Sequence, residues 1–478
     1  MSDPSGSERS FVEQSRRANR AALEARGVPV FSYRYERSHS AAEALALYQD
    51  AMGEDGPSVS VAGRLAALRG QGKTMFGHLE DASGRIQVYL RQDALGDAWE
   101  TARLLDLDDW VGVTGRLFRT KTGEVTVRAS ALELLTKSLR PLPRGKTQQT
   151  PEGAVTFGGL ADPEIRYRQR YADLAVHPEV RRIFALRARA ISFLRGFLEA
   201  RGFLEVETPV LQPVYGGASA RPFVTHHNAL DMPLFLRIAD ELYLKRLIVG
   251  GFERVYEIGH DFRNEGMDRH HNPEFTMLEC YQAFADYGDI LELTEAMVAG
   301  VVRHCSGGSV LSVGDRRFDF APPFARLSFV DGVRERCGLD LRRATEPEQR
   351  AVLRDHGVPG EEAESFTGGK LADEVFKAVL EPHLVQPTFV LDHPKALSPL
   401  ARTHRGDPAL VERFELFVDG TELANAFSEL NDPDEQRARF EEQGRQREAG
   451  DDEAQVLDAD YLRALEYGMP PTGGLGVG

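Results

Sequence analysis

At 478 residues the chain is too long for one ordinary domain, and two or three are expected. Hydrophobic residues make up 42% and charged residues 28%, which excludes a disordered or fibrous chain and allows a large core. The formal net charge of −16 argues against a protein that coats nucleic acid indiscriminately, but it leaves room for a local basic groove.

Cys280, Cys305 and Cys337 are far apart and form no CxxC pair, so no zinc site is expected. Their low, odd number fits a reducing compartment. The segment Ser2 to Ser10 is polar, and no run approaches a membrane span. The expectation is a cytoplasmic protein with no membrane partner.

In chain order, residues 1–55 read as a helical extension. Phe11 to Arg26 carries arginines among alanines, a solvated helix face unless a nucleic-acid module lies beside it. Residues 56–138 read as strands: Val59–Val61, Thr74–Leu79, Ile86–Leu90, Trp110–Leu117 and Val125–Val127, separated by turns such as Ser83-Gly84 and Thr122-Gly123. Five short strands with one looser connection, Asp93 to Asp109, suit a Greek-key barrel of the OB type, which binds oligonucleotides on one face. Arg69, Phe76 and Gln87 are placed to share that face, although Met75, Phe76 and Tyr89 read equally well as core.

The proline-rich basic stretch from Leu139 opens a linker over 139–165. The second domain is expected over 166–478. Its amphipathic helix, Glu179 to Arg201, has Ile183, Leu186, Ala190, Phe193, Leu194 and Phe197 on one face and stops at Gly202. A strand starts at Phe203 and runs to Pro209. Gly216-Gly217-Ala218 is a loop, and Arg237 to Arg246 opens another helix. Residues 306–405 are mixed and read as an insertion without evident chemistry.

The densest chemistry lies around Arg263-Asn264-Glu265. Arg254 to Phe262 and Glu274 to Tyr281 read as two strands of a hairpin, joined by the polar loop Gly266 to Pro273. Alternation puts Arg263 with Glu265 on one strand face, and Phe275, Met277, Glu279 and Tyr281 together on the other strand. A guanidinium suits phosphate, an aromatic ring stacks on a purine, and carboxylates facing a cavity need a cation. The set suggests a nucleotide bound next to a cationic small molecule. A second hairpin, Phe414–Val418 and Thr421–Ser428, turns at Asp419-Gly420 and puts Asn425, Phe427 and Glu429 on one face. Strict alternation sends Glu422 to the opposite face. The glycine-rich end, Pro470 to Gly478, reads as a frayed tail or as backbone that approaches a phosphate.

Phe262-Arg263-Asn264-Glu265 followed by His271-Asn272-Pro273-Glu274-Phe275-Thr276 resembles motif 2 of class II aminoacyl-tRNA synthetases, in the lysyl form of subclass IIb. The likeness extends over nearly the whole chain. Val61-Ala62-Gly63-Arg64 through Gln87 is similar to the anticodon-binding OB-fold of that subclass, and the helix and strand before Pro209 resemble motif 1. The resemblance implies an α+β protein: an OB-fold barrel plus a class II catalytic domain, an antiparallel sheet flanked by helices. It implies a homodimer that uses ATP, Mg2+, L-lysine and tRNA(Lys). Phe76 would stack on the central anticodon base, with Arg69 and Gln87 bonded to it. Arg263 would be the catalytic residue and bind ATP with Glu265, His271, Asn272, Phe275, Glu415 and Glu422, the last two holding the metal. Gly217, Glu241, Glu279, Tyr281, Asn425, Phe427 and Glu429 would bind lysine. Two points depart from the pattern. Asp240 stands where the family commonly has proline, although either residue suits a first helical turn. Glu422 meets its role only if a bulge or strong twist intervenes. The final glycines resemble the start of motif 3, whose ATP-binding arginine is expected beyond Gly478. Its absence from this sequence supports an alternative, a catalytically impaired tRNA-binding or regulatory paralogue.

Overall fold

The computed structural model describes residues 10–53, 55–150, 153–157, 159–268, 271–448 and 456–478. The chain divides into two compact units, Met1–Arg182 and Ile183–Gly478.

The first unit opens with helix α1 (Phe11–Ala25), capped by the Ser10 side chain. Its centre is a closed barrel of β1 (Ser58–Gln71), β2 (Thr74–Glu80), β3 (Arg85–Arg91), β4 (Trp110–Arg119) and β5 (Val125–Thr136), in the order β1-β2-β3-β5-β4. β1 is far longer than the three residues expected, because closure makes it pair with β2 at one end and with β4 at the other. A register shift between Leu65 and Ala67 bends it between the two. Alternate residues Val59, Val61 and Leu65 fill the interior with Leu79, Ile86, Val88, Val113 and Val127. Two short helices, Gln92–Leu95 and Ala98–Arg103, occupy the looser connection and cover the barrel with Leu95 and Trp99. In the expected linker, the backbones of Lys146–Thr150 and Gly153–Phe157 pair as a hairpin. The basic stretch from Arg166, assigned by sequence to the second domain, clusters with the first unit. Arg181 bonds Glu80 on β2 at 3.0 Å.

The unit boundary falls within helix α2 (Pro178–Glu199). The second unit is built on an eight-stranded sheet. Its strands are β6 (Leu204–Glu205), β7 (Arg254–Phe262), β8 (Glu274–Ala283), β9 (Ala325–Ser328), β10 (Thr388–Leu391), β11 (Arg413–Val418), β12 (Thr421–Ser428) and β13 (Thr472–Val477), in the order β9-β10-β11-β12-β13-β8-β7-β6. The two outermost pairs are parallel and the rest antiparallel. One face is covered by helix α4 (Tyr287–Ser306), whose buried residues Ile290, Leu291, Thr294 and Met297 recur at helical spacing. They meet Leu278, Cys280, Phe414, Leu416, Ala424, Ala426 and Leu475 of the sheet. The opposite face holds the polar side chains of the site, with helix α3 (Glu241–Val249) beside it.

Two expectations need correction. Residues 306–405 are not wholly an insertion: β9 and β10 are strands of the main sheet, and only the helices between them build a separate core, around Phe329, Phe376 and Leu380. The glycine-rich end is not a frayed tail, since β13 lies between β12 and β8 with both edges paired. Among the described residues, no helix is long and apolar enough to cross a membrane.

Candidate functional site

The hairpin β7–β8 forms as the alternation requires. Leu278 and Cys280 enter the core, which turns Phe275, Met277, Glu279 and Tyr281 to the opposite face. Arg263 and Glu265 lie past the end of β7, so alternation does not place them on one face. Arg263 bonds back to Pro273 through its amide, and its guanidinium sits 5.0 Å from the Phe275 ring centre. Glu265 turns toward the Arg221 amide at 3.4 Å. His271 is exposed and pairs with Asp268 at 2.7 Å, and Asn272 is exposed beside it.

Deeper in the same face is an acidic pocket. Glu241, from α3, and Glu279, from β8, are 6% and 5% exposed, and Glu429, just after β12, is 1% exposed. Tyr281 donates to Glu279 at 3.0 Å. Burial raises the Glu279 carboxyl well above its usual range, and the carboxylates of Asp261 and Glu241 raise it further. Burial also lifts Glu241 and pushes Glu429 up to about 8, while the Lys245 ammonium opposes the rise in both. Lys245 is fully buried and ion-paired to both Glu241 and Glu429. Gly217 has φ +92°, and a Cβ there would stand 3.1 Å from the Glu241 Cβ, so the loop closes directly on that residue. Gly474, on β13, leaves the space that Glu429 and the Tyr281 ring occupy. Phe427 packs near Lys245, 5.3 Å from ring centre to ammonium.

The two carboxylates expected to hold a metal do come together, because a bulge intervenes. Leu416 opposes Ala424, whereas Phe417 opposes Glu422, so Leu423 has no opposite residue and the alternation resets. Burial alone would raise Glu415, but Arg413 and His393 outweigh it and hold that carboxyl at about 2. Arg413 donates to Glu415 at 2.6 Å and to Asn425 at 2.9 Å, so Asn425 faces this end of the cleft. Glu422 is exposed, yet partial desolvation and the Glu415 carboxylate raise its carboxyl, while Arg413 and Arg263 pull it down. Two facing carboxylates, one kept ionised by Arg413 and His393 and the other raised by its neighbour, are a ready site for a hard divalent cation. Among the described residues no cluster of three or more His, Cys, Asp or Glu could hold a metal by itself. The pair therefore fits a cation whose remaining ligands come from a bound molecule.

On the barrel, Arg69 opposes Phe76, Phe76 opposes Tyr89, and Gln87 opposes His78, which puts all of them on the outer face. Phe76 is 38% exposed and stacks on Tyr89 at 4.5 Å, so it is not a core residue. Gln87 is held at both ends of its amide: it donates to Glu124 at 2.7 Å and accepts from Thr126 at 2.8 Å.

Several charged residues of the site escaped the sequence reading. Arg237 is 1% exposed and pairs with Asp240 at 2.9 Å, Glu257 at 2.7 Å and Asp261 at 3.2 Å. Asp240 keeps the helical start that the family's proline would give, yet its carboxylate makes no cap and turns into this cluster. Burial and the surrounding carboxylates push it far up. Lys245 lies four residues after Glu241, and Arg413 two residues before Glu415. Both spacings were available as signals.

The description "tRNA synthetases class II (D, K and N)" fits residues 162–478, and "OB-fold nucleic acid binding domain" fits residues 59–135. The chain is 48% identical to a lysine–tRNA ligase of Bacillus subtilis over 471 residues, 97% of this chain and 92% of that protein. It is 49% identical to a lysine–tRNA ligase of Shouchella clausii over 458 residues, 95% and 89% of the two chains. It is 48% identical to that of Pelotomaculum thermopropionicum over 465 residues, 97% and 89%. With the barrel, the sheet and the charged cleft in place, the chain belongs to the class II aminoacyl-tRNA synthetases, in the group that handles D, K and N, and carries the OB-fold domain of that group.

Proposed function

We propose that this chain is a lysine–tRNA ligase, which activates L-lysine with ATP and transfers it to tRNA(Lys). The observation that carries the reading is the convergence of Glu241, Glu279 and Glu429 in one buried pocket. Three carboxylates in a dry cavity repel unless cations join them, and lysine brings two ammonium groups. An aspartate or asparagine substrate would need a cation aimed at its own side chain. The relatives named lysine–tRNA ligases point the same way.

In this reading Gly217 and Glu241 hold the α-amino group, and Glu279, Tyr281 and Glu429 hold the ε-ammonium, with Asn425 and Phe427 closing the pocket. Phe275 stacks on adenine. Glu265, His271 and Asn272, on the loop after Arg263, complete the nucleotide contacts. A lysine carboxylate oxygen bonds to the α-phosphorus, and the bond to pyrophosphate breaks. A terminal ribose hydroxyl of the tRNA then attacks the acyl carbon, and AMP leaves. Arg263 donates to the α-phosphate and the lysine carboxylate and stabilises the charge that grows there. No side-chain nucleophile is needed, so rate comes from positioning and charge stabilisation. Glu415 and Glu422 would hold Mg2+, which neutralises charge on the phosphates. Phe76, Arg69 and Gln87 read the anticodon. The side chains of Ile183, Leu186 and Leu204, 66%, 45% and 48% exposed, support a homodimer. Three free cysteines support a cytoplasmic location.

The test is ATP–pyrophosphate exchange with lysine, aspartate and asparagine, followed by acylation of tRNA. Exchange with lysine alone is expected. Exchange with aspartate or asparagine, or tRNA binding with no exchange at all, would overturn the reading.

A further inference from the structure

The proposed pocket already contains a cation of its own. Lys245 lies one turn after Glu241 on α3, its side chain fully buried, and its ammonium contacts Glu241 on the helix and Glu429 beyond β12. The rings of Phe427 and Tyr281 stand 5.3 and 5.9 Å from it. Lys245 thus ties the helix to the sheet through the same two carboxylates that the proposed reading assigns to opposite ends of the substrate. Burial would drive a lone lysine neutral, but Glu241 and Glu429 outweigh it and keep this one charged. The other titratable groups facing it are Tyr281 and Tyr461, whose hydroxyls burial keeps neutral, and Glu279, which bonds Tyr281; Arg413 acts on Glu241 from further off.

We propose that Lys245 is a positioning residue that sets the charge of this pocket, holding Glu241 and Glu429 in place and easing their ionisation when a ligand with two ammonium groups binds. The inference rests on the lysine reading above. Once all three carboxylates ionise, the resident ammonium leaves two negative charges, the number of ammonium groups that lysine brings. Without Lys245, two buried carboxylates would face each other across the pocket, and a proton would have to replace the missing charge. That proton must leave when lysine binds, since its ammonium groups need ionised partners.

The experiment is calorimetric binding of L-lysine to the full chain near neutral pH, in two buffers of different ionisation heat, for the parent, Lys245→Met and Lys245→Arg. Lys245→Met is expected to bind lysine at least about tenfold more weakly and to release roughly one more proton than the parent. Lys245→Arg keeps the charge and should release as many protons as the parent, while its KM for lysine rises more than its KM for ATP. If Lys245→Met does not fold, the arginine variant decides by itself: equal rises in both KM values overturn the proposal. Unchanged affinity and proton count in Lys245→Met overturn it as well. Tighter lysine binding by Lys245→Met would do the same, since Lys245 would then be an occupant that the substrate displaces. If the parent itself binds no lysine, the lysine reading fails instead.

Discussion

The barrel face and the sheet pocket both present polar and aromatic groups at an open side of a β-structure, but they solve opposite problems. On the barrel, Phe76 is 38% exposed, stacked on Tyr89, and surrounded by groups such as Gln87 that are already bonded to neighbours. In the pocket, Glu241, Glu279 and Glu429 are buried with too few cations, and their proton affinities rise. The first is an exposed aromatic ring set among polar groups that are already satisfied. The second stores unfavourable charge that a suitable ligand relieves. A recognition site of the second kind should therefore respond to charge and pH, and one of the first kind to shape and contact area.

The largest effect is expected from Glu279→Gln. The change keeps the size of the side chain and its bond with Tyr281 but leaves one ammonium of the ligand short of a partner. Loss of a buried ionic partner costs about 3–5 kcal/mol, a drop in lysine affinity from roughly 150-fold to several thousandfold. ATP affinity should change far less. Calorimetry with each ligand separately checks this, and an equal loss for both would remove Glu279 from the lysine subsite.

Next in size is the pH response. Glu429 has a folded value of about 8, against about 4.5 for an ordinary glutamate. The folded chain therefore holds a proton there that the unfolded chain has already released. Stability from this group is present at acid pH and is lost as pH rises from about 5 to 8. Lysine needs the ionised form, so its binding should release a proton and strengthen by about 1.4 kcal/mol per pH unit for each proton released, up to about pH 8. The lysine-induced rise in Tm should be larger at pH 8 than at pH 6. A rise independent of pH would mean that the pocket binds without discharging protons.

A smaller, steric test is Gly474→Ala on β13. A Cβ at this position would collide with Glu429 Oε1 and lie 2.5 Å from the Tyr281 ring. Overpacking of this kind costs about 1–3 kcal/mol, and the shift falls on two side chains of the pocket. A lowered Tm together with weaker lysine binding is expected. The corresponding change at Gly476, where the nearest atoms are 3.9 Å from the built Cβ, should be milder in both readouts.

Much of this was legible in the sequence, and the gaps have physical causes. The strands on either side of Asp419-Gly420, and those before and after Arg263, could be read because core residues such as Leu278 and Phe414 alternate with the polar residues of the site. Glu422 was legible only as a contradiction, since alternation cannot show the extra residue, Leu423, that resolves it. β13 could not be told from a frayed tail because its six glycine-rich residues carry no alternation, and only the large side chains opposite them show why glycine is needed. β9 and β10 have four residues each, too few for a period to show among helices. Lys245 and Arg413 were passed over because a charged residue in a helix or strand is ordinarily solvated. Burying them took the partners that the fold supplies.

The smallest expected change in the fold, and the one that sharpens the comparison most, is Phe76→Ala. Phe76 lies outside the barrel core, so truncation should move Tm by no more than a few degrees. A base stacked on an aromatic side chain is worth about 1–3 kcal/mol, so tRNA affinity should fall by roughly five- to 150-fold. No charge is removed, so the slope of log affinity against log salt should stay as in the parent, whereas Arg69→Ala should flatten it if that guanidinium meets a phosphate. If Arg69 bonds a base edge instead, its removal should cost about 1–3 kcal/mol and relax the preference at one anticodon position. Nor should pH matter: between pH 6 and 8 the penalty for Phe76→Ala should be constant, unlike that for Glu279→Gln. A penalty that varied with pH would mean that the barrel face, too, depends on a titrating group.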